Sequence, residues 1–168
     1  GHRNPQGLYA LEDRDLIIST EHGPKGGDEI NLIDLSNNYI SNYGWPISSY
    51  GEHYDVVPIN DYTKKYAPLF KNHKDHGFIE PIKYFDKALG ISEIIKNYYE
   101  ENTYFVTTLK SNKIYSIKFS EDFSSNEIIE EINLNERIRD IIFDKKLNQY
   151  FIYIESSPSI MILSKKKK

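Results

Sequence analysis

Apolar and polar residues alternate along most of this chain with a period of two, in short runs broken by Gly, Asn, Ser and Pro. Leu8–Glu12 and Asp15–Thr20 read as two strands with a tight turn at Asp13-Arg14, and Glu29–Leu35 reads as a third. Ser36-Asn37-Asn38 is a turn. From Phe78 onward the pattern predicts strands at Ile79–Phe85, Gly90–Lys96, Tyr104–Leu109, Lys113–Phe119, Ile128–Leu134, Arg139–Phe143, Gln149–Ile154 and Ser159–Leu163. No segment carries a convincing helical period; Ile94–Glu101 is the one ambiguous piece. Many short strands at even spacing point to an all-β sandwich, barrel or propeller, and the meander-like spacing favours propeller blades.

Between the two strand regions the pattern lapses. Asn42-Tyr43-Gly44-Trp45-Pro46 punctuates the chain, and its lone Trp reads as a core anchor or as the rim of a cleft. Tyr50 to Gly77 is irregular, holds Pro58 and Pro68, and contains His53, His73 and His76. A loop of this length in a compact domain is usually functional or covering. His73-x-x-His76 has the spacing of a metal pair, but without Cys or a clear third ligand a solvated loop with two histidines is the better reading.

Two polar stretches carry candidate chemistry. Glu21-His22-Gly23-Pro24-Lys25-Gly26-Gly27-Asp28-Glu29-Ile30-Asn31 lies between strands. Its Pro and Gly residues permit a backbone that aims carbonyl oxygens at one point, beside carboxylates, which suits a hard cation such as calcium. His2-Arg3-Asn4-Pro5-Gln6-Gly7 sets a permanent guanidinium beside two amides, a cluster suited to an anionic, carbonyl-rich ligand. Its plainer reading is a polar turn.

Composition narrows the options. The hydrophobic fraction of 39%, with 14 Tyr and 8 Phe among 168 residues, describes a folding chain rich in strand formers. The net charge of −4 argues against a nucleic-acid partner. The absence of Cys excludes disulfides and cysteine-ligated metals. No apolar run approaches the roughly 18–20 residues of a membrane span, and no signal peptide is visible. The chain opens on Gly1-His2 in mid-motif without an initiator Met, which raises the expectation of a fragment. Residues 164–168 read as a solvated basic tail.

Gly1-His2-Arg3-Asn4-Pro5-Gln6-Gly7-Leu8 and the Glu21–Asn31 stretch together resemble the soluble pyrroloquinoline-quinone (PQQ)-dependent sugar dehydrogenases, the aldose or glucose/sorbosone dehydrogenases. Asn42-Tyr43-Gly44-Trp45-Pro46, Ser49-Tyr50-Gly51 and Arg137-Ile138-Arg139-Asp140 follow in the family's order, and the resemblance runs from residue 1 to about 163. It implies a six-bladed β-propeller of four-stranded blades. Residues 1–163 would then be the C-terminal part of one propeller domain, about three blades, with a loop insertion at about 40–78.

The resemblance also implies roles. Gly23 and Pro24 would offer backbone oxygens to calcium. Arg3 and Asn4 would contact the quinone's reactive carbonyl region, with Gln6 near the substrate side. His22 is the residue most aldose-type members show at its place. Lys110 would meet a cofactor oxygen, and Arg137 and Arg139 would hold the cofactor's carboxylates. Their i, i+2 spacing puts both guanidiniums on one strand face. Read alone, they are two exposed charges on an edge. Asp28 and Glu29 would brace the loop.

The implied reaction oxidises the C1 hydroxyl of an aldose to the lactone. A histidine base takes the hydroxyl proton, hydride passes to the quinone's C5, calcium polarises the C5 carbonyl, and Arg3 stabilises the growing charge. The family's base precedes the first motif, and none of His2, His22, His53, His73 or His76 matches it. The chain alone should therefore bind weakly or not at all and should not turn over. An open ring of blades would also leave two apolar faces wet, so the isolated chain should self-associate or dissolve poorly. The family's proline-framed turn is here Lys87-Ala88-Leu89-Gly90-Ile91-Ser92, without either proline. That departure supports the alternative, a non-catalytic propeller binding module that has lost the chemistry. The resemblance further implies a bacterial periplasmic or secreted protein, and leaves the sugar, the electron acceptor and the oligomeric state open.

Overall fold

A computed structural model describes residues 1–165, apart from the Glu12 side chain, so Lys166–Lys168 of the expected tail lie outside the described residues. The chain divides into two compact units, Gly1–Leu89 and Gly90 onward.

The first unit is built on one antiparallel sheet in the order β1 (Pro5–Leu11), β2 (Leu16–Glu21), β3 (Asp28–Asp34) and β4 (Lys83–Phe85). Ile18 and Ile30 are fully buried on it, as the alternating pattern requires. The predicted Asp13-Arg14 turn is a 3₁₀ turn over Glu12–Arg14, closed by Asp15 in the left-handed region. The strand expected over Ile79–Phe85 shrinks to Lys83–Phe85. Upstream of it the backbone pairs elsewhere: Phe78 N donates to His73 O, Ile79 N donates to Asn42 O, and Pro81 has no N–H to give.

The long connection from Leu35 to Ile82 holds a helix that the sequence reading lacks, α1 (Asp61–Tyr66). A capping box starts it: Asn60 accepts from Thr63 N, and Thr63 Oγ1 accepts from Asn60 N. None of its residues is buried, and in six residues only the Tyr62–Tyr66 pair marks a helical face, too little to announce it. His73–His76 forms a second 3₁₀ turn. Here the expectation of a solvated histidine pair fails: His73 is 1% exposed, while His76 stacks on Phe70 at 4.3 Å.

The second unit contains two antiparallel sheets. One runs in order through β5 (Ile91–Lys96), β6 (Thr103–Thr108), β7 (Lys113–Phe119) and β8 (Asn126–Asn133). The other is β9 (Ile138–Asp144), β10 (Gln149–Ile154) and β11 (Ser159–Ser164). Ser164, assigned to the tail by the sequence reading, ends β11 because it pairs with Gln149. The ambiguous Ile94–Glu101 stretch contributes the end of β5 and then a turn.

Central strand β6 is buried throughout, and edge strand β8 is polar and largely exposed. Phe105 and Ile114 of the first sheet form one apolar core with Ile138, Ile141, Tyr150, Ile152 and Ile154 of the second. Tyr150 is fully buried, and its hydroxyl both accepts from Tyr98 N at 2.6 Å and donates to Lys96 O at 2.8 Å. The turn after β5 is thereby tied to β10.

Tyr150→Phe keeps the ring and removes one hydrogen bond from each of these backbone groups. It is expected to lower unfolding free energy by about 1–3 kcal/mol, measured as a shift of the urea midpoint at unchanged m-value. An unchanged midpoint would show that water replaces the hydroxyl.

Candidate functional site

In the first unit the site grows from two buried carboxylates at the ends of β2 and β3. Glu21, 4% exposed, accepts from Arg3 N at 2.9 Å through one oxygen and from Asn31 Nδ2 at 3.1 Å through the other. His2 Nδ1 stands 3.4 Å from that second oxygen. Asp28, 2% exposed, accepts from Gly23 N at 3.1 Å and from Leu89 N at 2.9 Å. The bracing role expected of Asp28 is thus a pair of backbone hydrogen bonds, one to the bend and one to the Lys87–Leu89 turn that lacks its prolines.

The bend itself is forced. Gly27 has φ +67°, and a Cβ there would sit 2.0 Å from Gly51 N. Gly23 is as confined, since its Cβ would meet Gly26 O at 2.0 Å. Gly27 N donates to Phe85 O, and Lys25 exchanges backbone bonds with Glu52. Backbone packing against 50–52 and 85–86 therefore sets the path through Gly23-Pro24.

Around this bend the predicted residues of the opening motif come together. Arg3 Nη1 donates to His22 O at 3.0 Å, Nη2 lies 3.4 Å from the Tyr54 hydroxyl, and the guanidinium sits 5.2 Å over Trp45. Its Nε is buried without a partner. Asn4 O accepts from His22 N at 3.1 Å, and Gln6 Nε2 donates to Asn4 Oδ1 at 3.1 Å. Half-buried Trp45 takes the rim position, one of its two sequence readings, with Arg3 on its face.

Behind Arg3 a cavity of about 10 Å³, close to the volume one water needs, is lined by Glu21, Gly23, Glu29, Ser48 and His73 among others. Ser48 Oγ and His73 Nε2 make no hydrogen bond, and His73 Nε2 is 3.5 Å from Glu29 Oε1. Burial first, and the neighbouring Glu21 charge second, push Glu29 up to about 8. Burial pushes His73 below the usual histidine range, while its Nδ1 lies 2.9 Å from Tyr43 O. Both groups are neutral at pH 7.

In the second unit, Lys110 is exposed just past β6, next to Leu109, whose carbonyl is 3.4 Å from Arg137 Nη1. Arg137 precedes β9. Arg139 is the extra residue of a bulge in it: Tyr153 pairs with Asp140 and Ile154 with Ile138, leaving Arg139 unpaired. Both arginines reach one atom, Glu155 Oε2, at 3.5 Å and 2.8 Å. The sequence by itself suggests no role for Glu155, Glu21 or Tyr54. Glu21 alone had a signal, as the first residue of the glycine-rich motif. Among the described residues no group of three or more His, Asp or Glu side chains is placed to hold a metal ion, so calcium would depend on backbone oxygens. Nor is any described helix long and apolar enough to cross a membrane.

The sheets and the motif geometry define a class, and comparison with known proteins agrees. Residues 1–161 match the glucose/sorbosone dehydrogenase family, and the chain belongs to it. It is 26% identical over 171 residues to aldose sugar dehydrogenase YliI of Escherichia coli K12, covering 98% of this chain and 42% of that one. It is 50% identical over 46 residues to quinoprotein glucose dehydrogenase B of Acinetobacter calcoaceticus, covering 27% of this chain and 9% of that protein. The crystal structure of the soluble E. coli aldose sugar dehydrogenase in its apo form superposes with TM-score 0.75 at 23% identity, over 96% of this chain and 44% of that one. At that identity the likeness establishes the fold, all-β with sheets that are part of a β-propeller. The chain spans less than half the length of these relatives.

Two measurements check the first-unit geometry. Asp28→Ala strips partners from two buried amides, so a loss of about 2–4 kcal/mol in unfolding free energy is expected from urea denaturation. The second is a pH series. Native Glu29 holds its proton up to about 8 and unfolded Glu29 releases it near 4.5, so the native state binds more protons in that window and stability falls as pH rises through it. His73, with its lowered native value, contributes the opposite slope, which ends once the unfolded histidine has titrated, near pH 7. Between pH 7 and 8 the melting temperature should therefore fall with pH, and Glu29→Gln should remove that fall.

Proposed function

We propose that this chain is part of a quinoprotein oxidoreductase that converts the C1 hydroxyl of an aldose to the lactone, using PQQ held through calcium. The observation that carries the reading is Arg3. Its Nη1 is fixed on His22 O and its ring partner is Trp45, yet its Nε is buried with nothing to bond. A cation so fixed, with a donor in reserve beside a forced carbonyl bend, fits a ligand with oxygen acceptors. Family membership and the quinoprotein relative support the same choice of cofactor.

When bound, PQQ supplies a carbonyl that accepts hydride. The chain's residues orient and neutralise. Gly23 and Pro24 offer their carbonyl oxygens to calcium, and Asp28 keeps the bend in place. Arg3 and Asn4 would stabilise negative charge at the quinone carbonyl, Gln6 would border the sugar, and His22 would line the cofactor side of the bend. Lys110 would meet a cofactor oxygen, and Arg137 and Arg139 would take its carboxylates. No residue of this chain is assigned as the general base. The sugar, its electron acceptor and a periplasmic or secreted setting belong to the same proposal.

PQQ titrated into the protein with calcium or with EDTA, followed by cofactor absorbance, tests it. Weak, saturable, calcium-dependent binding is expected, with Arg137→Ala lowering affinity roughly tenfold. In the full-length holoenzyme Arg3→Gln should cut kcat roughly a hundredfold while PQQ affinity falls far less; equal losses would count against the role. PQQ binding without sugar turnover in that holoenzyme would favour the second reading, a binding module, which the altered Lys87–Ser92 turn supports.

A further inference from the structure

Arg137 and Arg139 do not stand open to solvent as two separate charges. Each gives an Nη2 to the same oxygen, Oε2 of Glu155. The arrangement is carried by paired backbone: Glu155 N donates to Arg137 O at 2.8 Å, and Arg137 N donates to Ser156 Oγ at 3.0 Å. Two neighbouring carboxylates are engaged elsewhere: the hydroxyls of Ser156 and Ser157 both donate to Glu136, and Asp140 accepts from Ile141 N. Glu155 is thus the carboxylate the two guanidiniums share. The three side chains are 46%, 41% and 36% exposed, so the contact is wet and an ion from solution can exchange into it.

We propose that Glu155 is a built-in competitor for the anion seat formed by Arg137 and Arg139, and so sets the affinity of that seat. A carboxylate tethered within hydrogen-bond reach acts at a high effective concentration, so a free monoanion making the same contacts gains little by replacing it. A ligand with neighbouring carboxylates makes more contacts than Glu155 does and displaces it. The inference rests on the reading of Arg137 and Arg139 as carboxylate-binding residues. Its physical consequence is that removing the charge of Glu155, while keeping its size, strengthens binding.

The test uses pyridine-2,6-dicarboxylate, titrated into the ¹⁵N-labelled protein while the arginine Nε signals are followed by NMR. Glu155→Gln should tighten binding about twofold to fivefold at low salt, and the gain should vanish above about 0.5 M salt. Glu136→Gln changes net charge equally but frees no arginine contact, so it should leave affinity nearly unchanged. Weaker or unchanged binding in Glu155→Gln overturns the inference and leaves the arginine reading intact. An equal gain in Glu136→Gln also overturns it, because long-range charge alone then explains the effect. Binding that does not move the Arg137 and Arg139 signals in the unsubstituted protein or in Glu155→Gln overturns both.

Discussion

A carboxylate buried at the end of a strand governs the first unit. Glu21 is taken from water and is compensated by a backbone amide, a side-chain amide and the nearby His2 ring. Such burial is tolerable only when hydrogen bonds replace the lost hydration. Because the backbone amide is that of Arg3, one interaction closes the opening segment onto β2 and places the guanidinium. Asp28 does the equivalent at the start of β3, with Gly23 and Leu89 as its partners. The bend between the strands is then fixed at both ends, and its glycines are required by the backbone that crosses it.

The two units solve the burial problem differently. The second packs isoleucines, Phe105 and Tyr150 between sheets, and the polar side chains it buries, such as Ser92, Thr103, Thr107 and Thr108, are uncharged. The first buries Ser19, Thr20, Asn31, Ser48, Ser49 and His73 beside Glu21, Asp28 and Glu29. That interior is costly unless its charges are removed or shared. Glu29 and His73 meet the constraint by being neutral side by side, each pushed there mainly by burial. A polar interior next to a forced bend is what a site for a charged, oxygen-rich ligand needs, and it is a poor way to build a core.

The strands were legible where one face is buried and the other wet. Lys113–Phe119 and Gln149–Ile154 have the boundaries that alternation alone suggests, and the other strands differ by a few residues. Reading failed where backbone pairing is decided at a distance. Ile79 looks like a strand residue, but its amide goes to Asn42. Asp61–Tyr66 buries no residue and is started by its capping box. His73 sits in a polar stretch and is nonetheless buried, because Tyr50 stacks on it at 5.2 Å and Glu29 faces it.

The amino-acid order by itself determined the all-β class, the glycine-rich bend, and the grouping of Arg3, Asn4 and Gln6 on one short segment. Those features are local: side-chain alternation, backbone permissiveness and adjacency do not wait on the rest of the chain. A spacing of two suggests one strand face for Arg137 and Arg139, but Arg137 precedes β9 and Arg139 is the extra residue of its bulge, so their meeting at Glu155 is not set by alternation. Only the tertiary structure decided which acid each cation meets and which groups lose their charge. Glu155 lies far along the chain from Arg137, and Glu29 from His73, so pairing and desolvation arise only when distant strands and loops are brought within a few ångströms.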